Sequence, residues 1–489
     1  MGLIHRMMQT KAIDSGGSSG HGGLAPSFGL FSLTMLGVGA TIGTGIFFVM
    51  AEAVPKAGPA VLLSFLLAGF TAGLTAVCYA ELAASIPATG SSYSYAYAAL
   101  GEFPAFIVAA CVVLEYGLAA SAVAIGWSGY LNNFLTNLFG IQIPEALRSP
   151  MFVSGENGLE IHAGHFNLPP MILVTMCGLL LMRGAKESAT ANAVMVTIKL
   201  CVLVFFAAIA FSAFKTSHFE PFFNESGMKG VAAAAGTVFF SFIGLDAIAT
   251  AGAEVRNPKR NIPLGIVMAL LVVCAGYSMV AIAALGAQRA EAFAHQDAGL
   301  AVILQQVSGH AWPAIVLSAG AVISVFSVTL VSLYGQTRIL FAISMDGLIP
   351  QSFREVNPRT LAPVKNIIYV CIVVAIIAGT VHSAYLWDMV SMGTLVAFIA
   401  VSLSVPIHRA RQKGVKAEGF RLPFGPYLIP GLSIAACLYI IKDLSAATFT
   451  VFFIWMALAL VAYFTYGIRH SKLPRESVQL PVNQGRKQA

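Results

Sequence analysis

Charge is what this 489-residue chain has least of. Only 10% of its side chains are Asp, Glu, Lys or Arg, against roughly 25% in an average soluble domain. Hydrophobic residues make up 57% and the mean hydropathy is +0.81, a surface that water could not dissolve. Cysteine is sparse too: seven residues, all inside apolar stretches and none in a C-x-x-C pair, which leaves them a packing role. None of the ten histidines falls in the middle of an apolar run. His162 and His165 have a spacing that could serve a metal, but they sit in a polar segment and read as loop, so neither metal nor cofactor is expected. No apolar core of a signal peptide precedes residue 26, and the Gly/Ser-rich stretch 1–26 is expected to be a disordered tail. No nucleophile sits with a base or a metal-ligand set, so an enzyme is not expected.

The formal charge of +7 and pI near 9.0 raise the question of nucleic acid. The basic residues are confined to short segments between apolar runs and form no Lys/Arg-rich helix with interleaved aromatics, so nucleic acid is not expected as a partner. Cutting the chain at charged or Pro/Gly clusters gives twelve candidate membrane spans, near 28–50, 59–85, 103–131, 168–184, 192–214, 231–251, 263–287, 313–344, 366–381, 386–408, 427–442 and 448–468. An even count puts both termini on one side. Segments on that side hold most of the basic residues, among them Arg256, Lys259, Arg260, Arg354, Lys365, Arg409, Arg411 and Lys413. The opposite segments hold only Lys56, Arg148, Lys215, Lys229, Arg289 and Lys442. The positive-inside rule therefore predicts a multi-pass protein with both termini cytoplasmic.

Two spans are interrupted. The first contains Gly37, Gly39, Gly43 and Gly45 with Thr41 and Thr44 among them, and the sixth contains Gly244 between Phe239 and Asp246. Glycine weakens a helix wherever it falls. As a dinucleotide fingerprint the first cluster fails, since no strand precedes it and its last spacing is wrong; it also lacks a phosphate-loop Lys. Close helix packing is an alternative for one such cluster taken alone. Two interrupted spans at matching places in two five-helix halves point instead to an inverted-repeat transporter with its site at the midplane.

Residues inside spans that carry charge are functional hypotheses by default, because each costs roughly 2.5–3.5 kcal/mol or more at the bilayer centre. Glu81, near the end of the second span, reads as a structural residue. Glu115 either pairs with a hydroxyl or with Lys199, or faces a site and meets a cationic ligand. Asp246, just after the second break, either shares that cation or caps the half-helix that follows. Lys199, several residues inside the fifth span, either makes a stabilising salt bridge or carries a proton that comes and goes.

The ordered motifs Leu36-Gly-Val-Gly-Ala-Thr-Ile-Gly-Thr-Gly-Ile-Phe47, Tyr79-Ala-Glu81, Pro87-Ala-Thr-Gly-Ser-Ser-Tyr-Ser-Tyr95, Glu115-Tyr-Gly and Ile243-Gly-Leu-Asp246 resemble the amino acid-polyamine-organocation (APC) superfamily. Glu254-Val-Arg-Asn-Pro-Lys-Arg-Asn-Ile-Pro263, Tyr334-Gly-Gln-Thr-Arg338 and Ser344-Met-Asp-Gly-Leu-Ile-Pro350 narrow the resemblance to bacterial members of the cationic amino acid transporter (CAT) family. It covers about residues 28–468, with Ala253 and Asn261 where relatives often carry acids. The resemblance implies an all-α polytopic membrane protein. Its expected plan is a LeuT-like 5+5 inverted repeat: a ten-helix core over 27–409, two accessory helices over 410–468 and a cytoplasmic tail over 469–489. It implies a secondary transporter of L-amino acids in the bacterial inner membrane, with lysine, arginine and ornithine favoured. A neutral, alanine-type carrier, an exchanger and a non-transporting sensor stand as alternatives.

An amino acid brings a carboxylate and an ammonium, and a low-dielectric site must pair both. The resemblance places the carboxylate on backbone N–H groups of Thr44 and Gly45, at the start of a half-helix. It places the ammonium on carbonyls near Thr41, Phe240, Ser241 and Ile243, with Ile42 and Gly43 completing the first break. Ser332, a small residue in the eighth span, leaves room for a long substrate, and Glu115 and Asp246 are available to its distal cation. In related transporters without sodium dependence a lysine at the position of Lys199 is thought to take the place of a sodium ion, so the resemblance implies proton coupling there. Glu254, Arg256, Arg338 and Asp346 are the expected inner-gate ion pairs.

Overall fold

The computed structural model describes residues 7–11, 27–86, 90–155, 158–162, 164–293, 299–382, 384–412, 420–442, 444 and 446–472. The expected tails therefore fall mostly outside the described residues, as do Pro87-Ala-Thr89 and Lys413. Within them, eight helices are long and apolar enough to cross a membrane, and five further apolar helices are shorter. The chain runs as α1 (Leu30–Thr41), α2 (Thr44–Ala57), α3 (Val61–Ser85), α4 (Ser92–Ala99) and α5 (Glu102–Phe139). It continues through strands β1 (Phe152–Gly155) and β2 (Gly158–Ile161) to α6 (Leu168–Met182), α7 (Ala185–Ser212), α8 (Gly227–Phe239) and α9 (Ala247–Thr250). After these come α10 (Pro258–Ala287), α11 (Gly299–Ser308), α12 (Trp312–Met345), α13 (Val364–Thr380), α14 (Ala384–Arg411), α15 (Leu428–Ile441) and α16 (Ala446–Ala462).

Only helices satisfy every backbone polar group within one segment in lipid, and these apolar runs take that form. Their outward faces stay apolar: Leu66, Phe70, Ile172, Leu179, Val204 and Leu271 are exposed. The small antiparallel hairpin of β1 and β2 is the exception to an all-helical chain, and it lies outside the apolar runs. Charged and Pro/Gly punctuation does not place every helix end. Asn132 and Asn133 look like the close of the third span, yet α5 runs on to Phe139 and stops at Gly140, whose left-handed φ of 68° favours glycine. Asn132 is retained inside the fold because its Oδ1 accepts the Ile143 N–H at 3.0 Å. The short helices α4 and α11 lie between candidate spans and were not expected.

Both glycine-rich spans are broken as expected. Between α1 and α2 the chain leaves the helix at Ile42 (φ −76°, ψ 98°) and re-enters at Thr44. Between α8 and α9 it passes through a 3₁₀ turn at Phe240–Phe242 and then Ile243 (φ −68°, ψ 140°) and Gly244. Gly244 has φ 110°, and a Cβ there would lie 2.9 Å from that of Ala40, so the two breaks touch at a point only glycine permits.

The first and last described segments meet at one end of the bundle. Gln9 O accepts the Glu102 N–H at 3.1 Å, Lys11 Nζ lies 2.5 Å from Asp346 Oδ1, and the Lys472 N–H donates to Asp346 O at 3.0 Å. Ser471 donates to Glu102, which also receives the hydroxyls of Tyr97 and Tyr463, each at 2.9 Å.

Candidate functional site

A cavity lies against the two breaks, which supply much of its lining. Thr41, Gly43 and Gly45 line it from the first break, Phe240, Ser241, Ile243 and Gly244 from the second, and Glu115, Val328 and Ser332 from α5 and α12. The first N–H groups of α2 have no partner within their own helix, and Gly43 and Gly45 at that start border the cavity. A carboxylate there would meet N–H donors and the positive end of a helix dipole. The same glycines also serve packing. A Cβ on Gly43 would come within 2.4 Å of Val328 Cγ2, and one on Gly45 within 2.5 Å of Ser241 Oγ.

The expected ammonium ligands are arranged differently from one another. Thr41 O and Ser241 O each lie 2.8 Å from the Tyr277 hydroxyl of α10, whose one proton can serve only one of them at a time. Each carbonyl keeps a second lone pair. Tyr277 is fully buried between Phe65 and Phe242 and ties the two breaks together; a tyrosine in an apolar run gave no signal of this in the sequence. Phe240 O accepts the Ile243 N–H at 3.2 Å. Ile42 faces away from the cavity, its carbonyl taken by Lys199 and, at 3.4 Å, by Ser324 Oγ.

Lys199 is completely buried and makes no ion pair among the described residues. Its ammonium donates to Ile42 O and, at 3.1 Å, to Gly39 O, the carbonyls where α1 ends. Ser327 Oγ stands 3.5 Å from the same Gly39 O. A cation at the carbonyl end of a half-helix sits at the negative pole of its dipole. This arrangement supplies neither the salt bridge weighed for Lys199 nor its pairing with Glu115.

Glu115 borders the cavity, with the Thr394 hydroxyl beside it and no cation partner among the described residues. Asp246 lies behind the lining: its Oδ2 accepts the Tyr116 hydroxyl at 2.7 Å, and its buried Oδ1 has no partner. Its side chain makes no capping bond to α9. The Phe240 ring meets Trp387 edge-on at 4.5 Å, a contact between distant spans that composition could not reveal.

Of the four expected gate residues, two come together. Arg338 Nε lies 2.5 Å from Glu254 Oε1, both side chains are almost fully buried, and the Tyr334 hydroxyl donates to the same oxygen at 2.9 Å. Breaking such a pair from one side costs about 3–5 kcal/mol. Asp346 belongs instead to the corner where the chain ends meet, and Arg256 is exposed without an ion pair among the described residues. Glu81 has the structural role expected of it, held by Arg409 through two contacts of 2.6 Å and by the Leu422 N–H at 2.7 Å.

A bundle of apolar helices with two touching breaks beside a cavity is consistent with a membrane carrier. The profile of the family described as amino acid permease matches residues 28–472. The chain is 40% identical to the branched-chain amino acid permease BcaP of Bacillus subtilis, over 93% of this chain and 96% of that one. It is 39% identical to the methylthioribose transporter of the same organism, over 92% and 95%. With the vacuolar cationic amino acid transporter 2 of Arabidopsis thaliana it shares 35% identity over 83% of this chain and 64% of that one. The chain belongs to the amino acid permease family, within the APC superfamily, and is a multi-pass membrane transporter, not an enzyme.

Proposed function

We propose that this permease is a secondary active transporter of L-amino acids across the bacterial cytoplasmic membrane, driven by protons through Lys199 and favouring lysine, arginine and ornithine. Twelve spans in a LeuT-like 5+5 inverted repeat with two accessory helices, both termini cytoplasmic, fit this reading. The observation that carries the substrate preference is Glu115: a carboxylate bordering the cavity, without a cation of its own among the described residues. A distal ammonium or guanidinium would supply that cation, and Ser332 on the same wall leaves it room. The carboxylate end of the substrate goes to Thr44 and Gly45, and the α-ammonium to the carbonyls of Thr41, Ser241 and Ile243. Lys199, holding Gly39 O and Ile42 O, fixes the first break while protonated and releases it when the proton leaves. Loss of that grip biases the exchange between outward- and inward-facing states, because it acts on one state more than on the other.

A branched-chain substrate is the second reading, favoured by the apolar wall of Ala119, Val123 and Val328 and by the name of the relative that is 40% identical. Competition decides between them. With purified protein in sodium-free vesicles and an imposed pH gradient, arginine, lysine and ornithine are expected to displace labelled arginine at lower concentration than alanine, leucine or valine. Displacement by leucine with none by lysine overturns the cationic preference. Uptake that needs sodium and ignores pH overturns the coupling, and binding without uptake points to a sensor.

A further inference from the structure

One buried polar group near Lys199 has no role in what precedes. Asn192 lies on the same face of α7, seven residues before Lys199, and is only 2% exposed. Its Nδ2 donates to Met35 O at 3.0 Å. A carbonyl can only accept, so the amide nitrogen must face Met35 and the carboxamide oxygen must point elsewhere. That Oδ1 is buried and has no partner. An acceptor left unmade in a protein interior costs about 1–3 kcal/mol, more than packing an apolar side chain there would.

Where Oδ1 points gives it a meaning. A Cβ on Gly39 would lie 2.6 Å from it, and Lys199 donates to the carbonyl of that same Gly39. Asn192 and Lys199 thus reach two sides of one residue of α1, and the Asn192 carboxamide packs into the room left by the missing Gly39 side chain. One turn before Asn192, on the same face, is buried Ser188, close to the start of α7. This start is level with the early turns of α1, whose entry at Phe28 is bound to Glu254 and Arg256 at the end of the bundle where the chain ends meet. Ser188, Asn192 and Lys199 form a buried polar stripe leading inward from that end, whereas the other polar residues of α7 at these levels, Thr190 and Thr197, are exposed.

We propose that this stripe is the route by which Lys199 exchanges its proton with the solution at that end of the bundle, with Asn192 as the residue that positions the relay. In the step, one N–H bond of the Lys199 ammonium breaks and its electron pair stays on Nζ. The proton passes to a water held at Asn192 Oδ1, and a second proton leaves that water past Ser188, so charge and atoms balance. The elements packed on α7 are α1, α6, α10, α11 and α12. The carbonyls of Gly39 and Ile42 accept from Lys199, the hydroxyls of Ser324 and Ser327 stand at those same carbonyls, and no charged side chain among the described residues pairs with Lys199.

The inference rests on Lys199 being the coupling residue, and the test keeps the two apart. Net accumulation in vesicles under a proton gradient requires Lys199 to shed its proton in every cycle. Exchange of labelled for unlabelled substrate at equal pH does not, because the loaded carrier returns with its proton. Asn192→Leu is expected to slow net accumulation by about tenfold or more while exchange stays within about twofold. Asn192→Ser, which loses the bond to Met35 O but keeps a polar group and room for water, is expected to retain most of the net accumulation. Equal loss of both activities in Asn192→Leu, or identical behaviour of the Leu and Ser variants, overturns the relay. If Lys199→Gln still accumulates substrate on a proton gradient, the coupling assignment fails and the relay with it. If Lys199→Gln loses accumulation and Asn192→Leu does not, only the relay fails.

Discussion

Lys199 and Glu115 are both charged, both buried and both within apolar spans, yet the fold treats them in opposite ways. Lys199 is closed in: two carbonyls of the first break take its protons, and hydroxyls from α12 stand behind them. Glu115 is left open, on a cavity wall with a hydroxyl beside it and no cation. A buried charge satisfied by dipoles of the chain belongs to the machinery of the helix it holds. A buried charge facing empty space is completed by something that arrives from outside. Burial alone does not separate these two; the neighbours do.

Breaking each side of this comparison should give different losses. The largest belongs to Lys199→Gln, which keeps a donor for one carbonyl but fixes the charge at zero. Accumulation driven by a proton gradient is expected to vanish, while binding, measured by thermal stabilisation of the purified protein with substrate, persists. Accumulation that survives would place the coupling elsewhere. Glu115→Gln comes next. It removes one partner of a buried charge pair, so affinity for lysine and arginine should fall by about 30-fold or more, roughly 2 kcal/mol, with alanine changed much less. An equal fall for all three would mean that Glu115 shapes the site and does not meet a cation. The smallest change is expected from Ser332→Met on the neighbouring α12. Filling that volume should lower the preference for arginine over alanine by about five- to tenfold, read from competition curves. An unchanged ratio would show that the long end of the substrate points away from α12.

How much of this was legible in the chain differs by residue. The breaks at Gly43 and Gly244 were, because glycine weakens a helix through its own backbone and needs no neighbour to do so. The ionisable residues inside spans were legible as well, since their cost in lipid marks them whatever surrounds them. What Lys199 and Glu115 each touch was not, for it depends on the register of α7 against α1 and of α5 against the breaks. Tyr277, Tyr116 and Trp387 were missed for the same reason: an aromatic residue in an apolar run looks like packing until a carbonyl, a carboxylate or another ring is found opposite it. The four charges grouped as a gate lie at neighbouring helix ends in sequence, but helix direction sends Asp346 towards Lys11 and leaves Glu254 with Arg338.

The corner around Glu102 and Asp346 has a consequence for how the chain is made. Ribosomes deliver residues in order, and the partners of this corner come from opposite extremes of that order. Lys11 emerges 335 residues before Asp346, and Glu102 emerges 369 residues before Ser471. Until Tyr463 and Ser471 arrive, Glu102 has only the Tyr97 hydroxyl out of the three it finally holds. The corner is therefore completed last, when the helices between are already in place. A chain cut short after α15 would carry every cavity-lining residue and still leave that carboxylate two hydrogen bonds short, a defect that proteolysis can sense without touching the site.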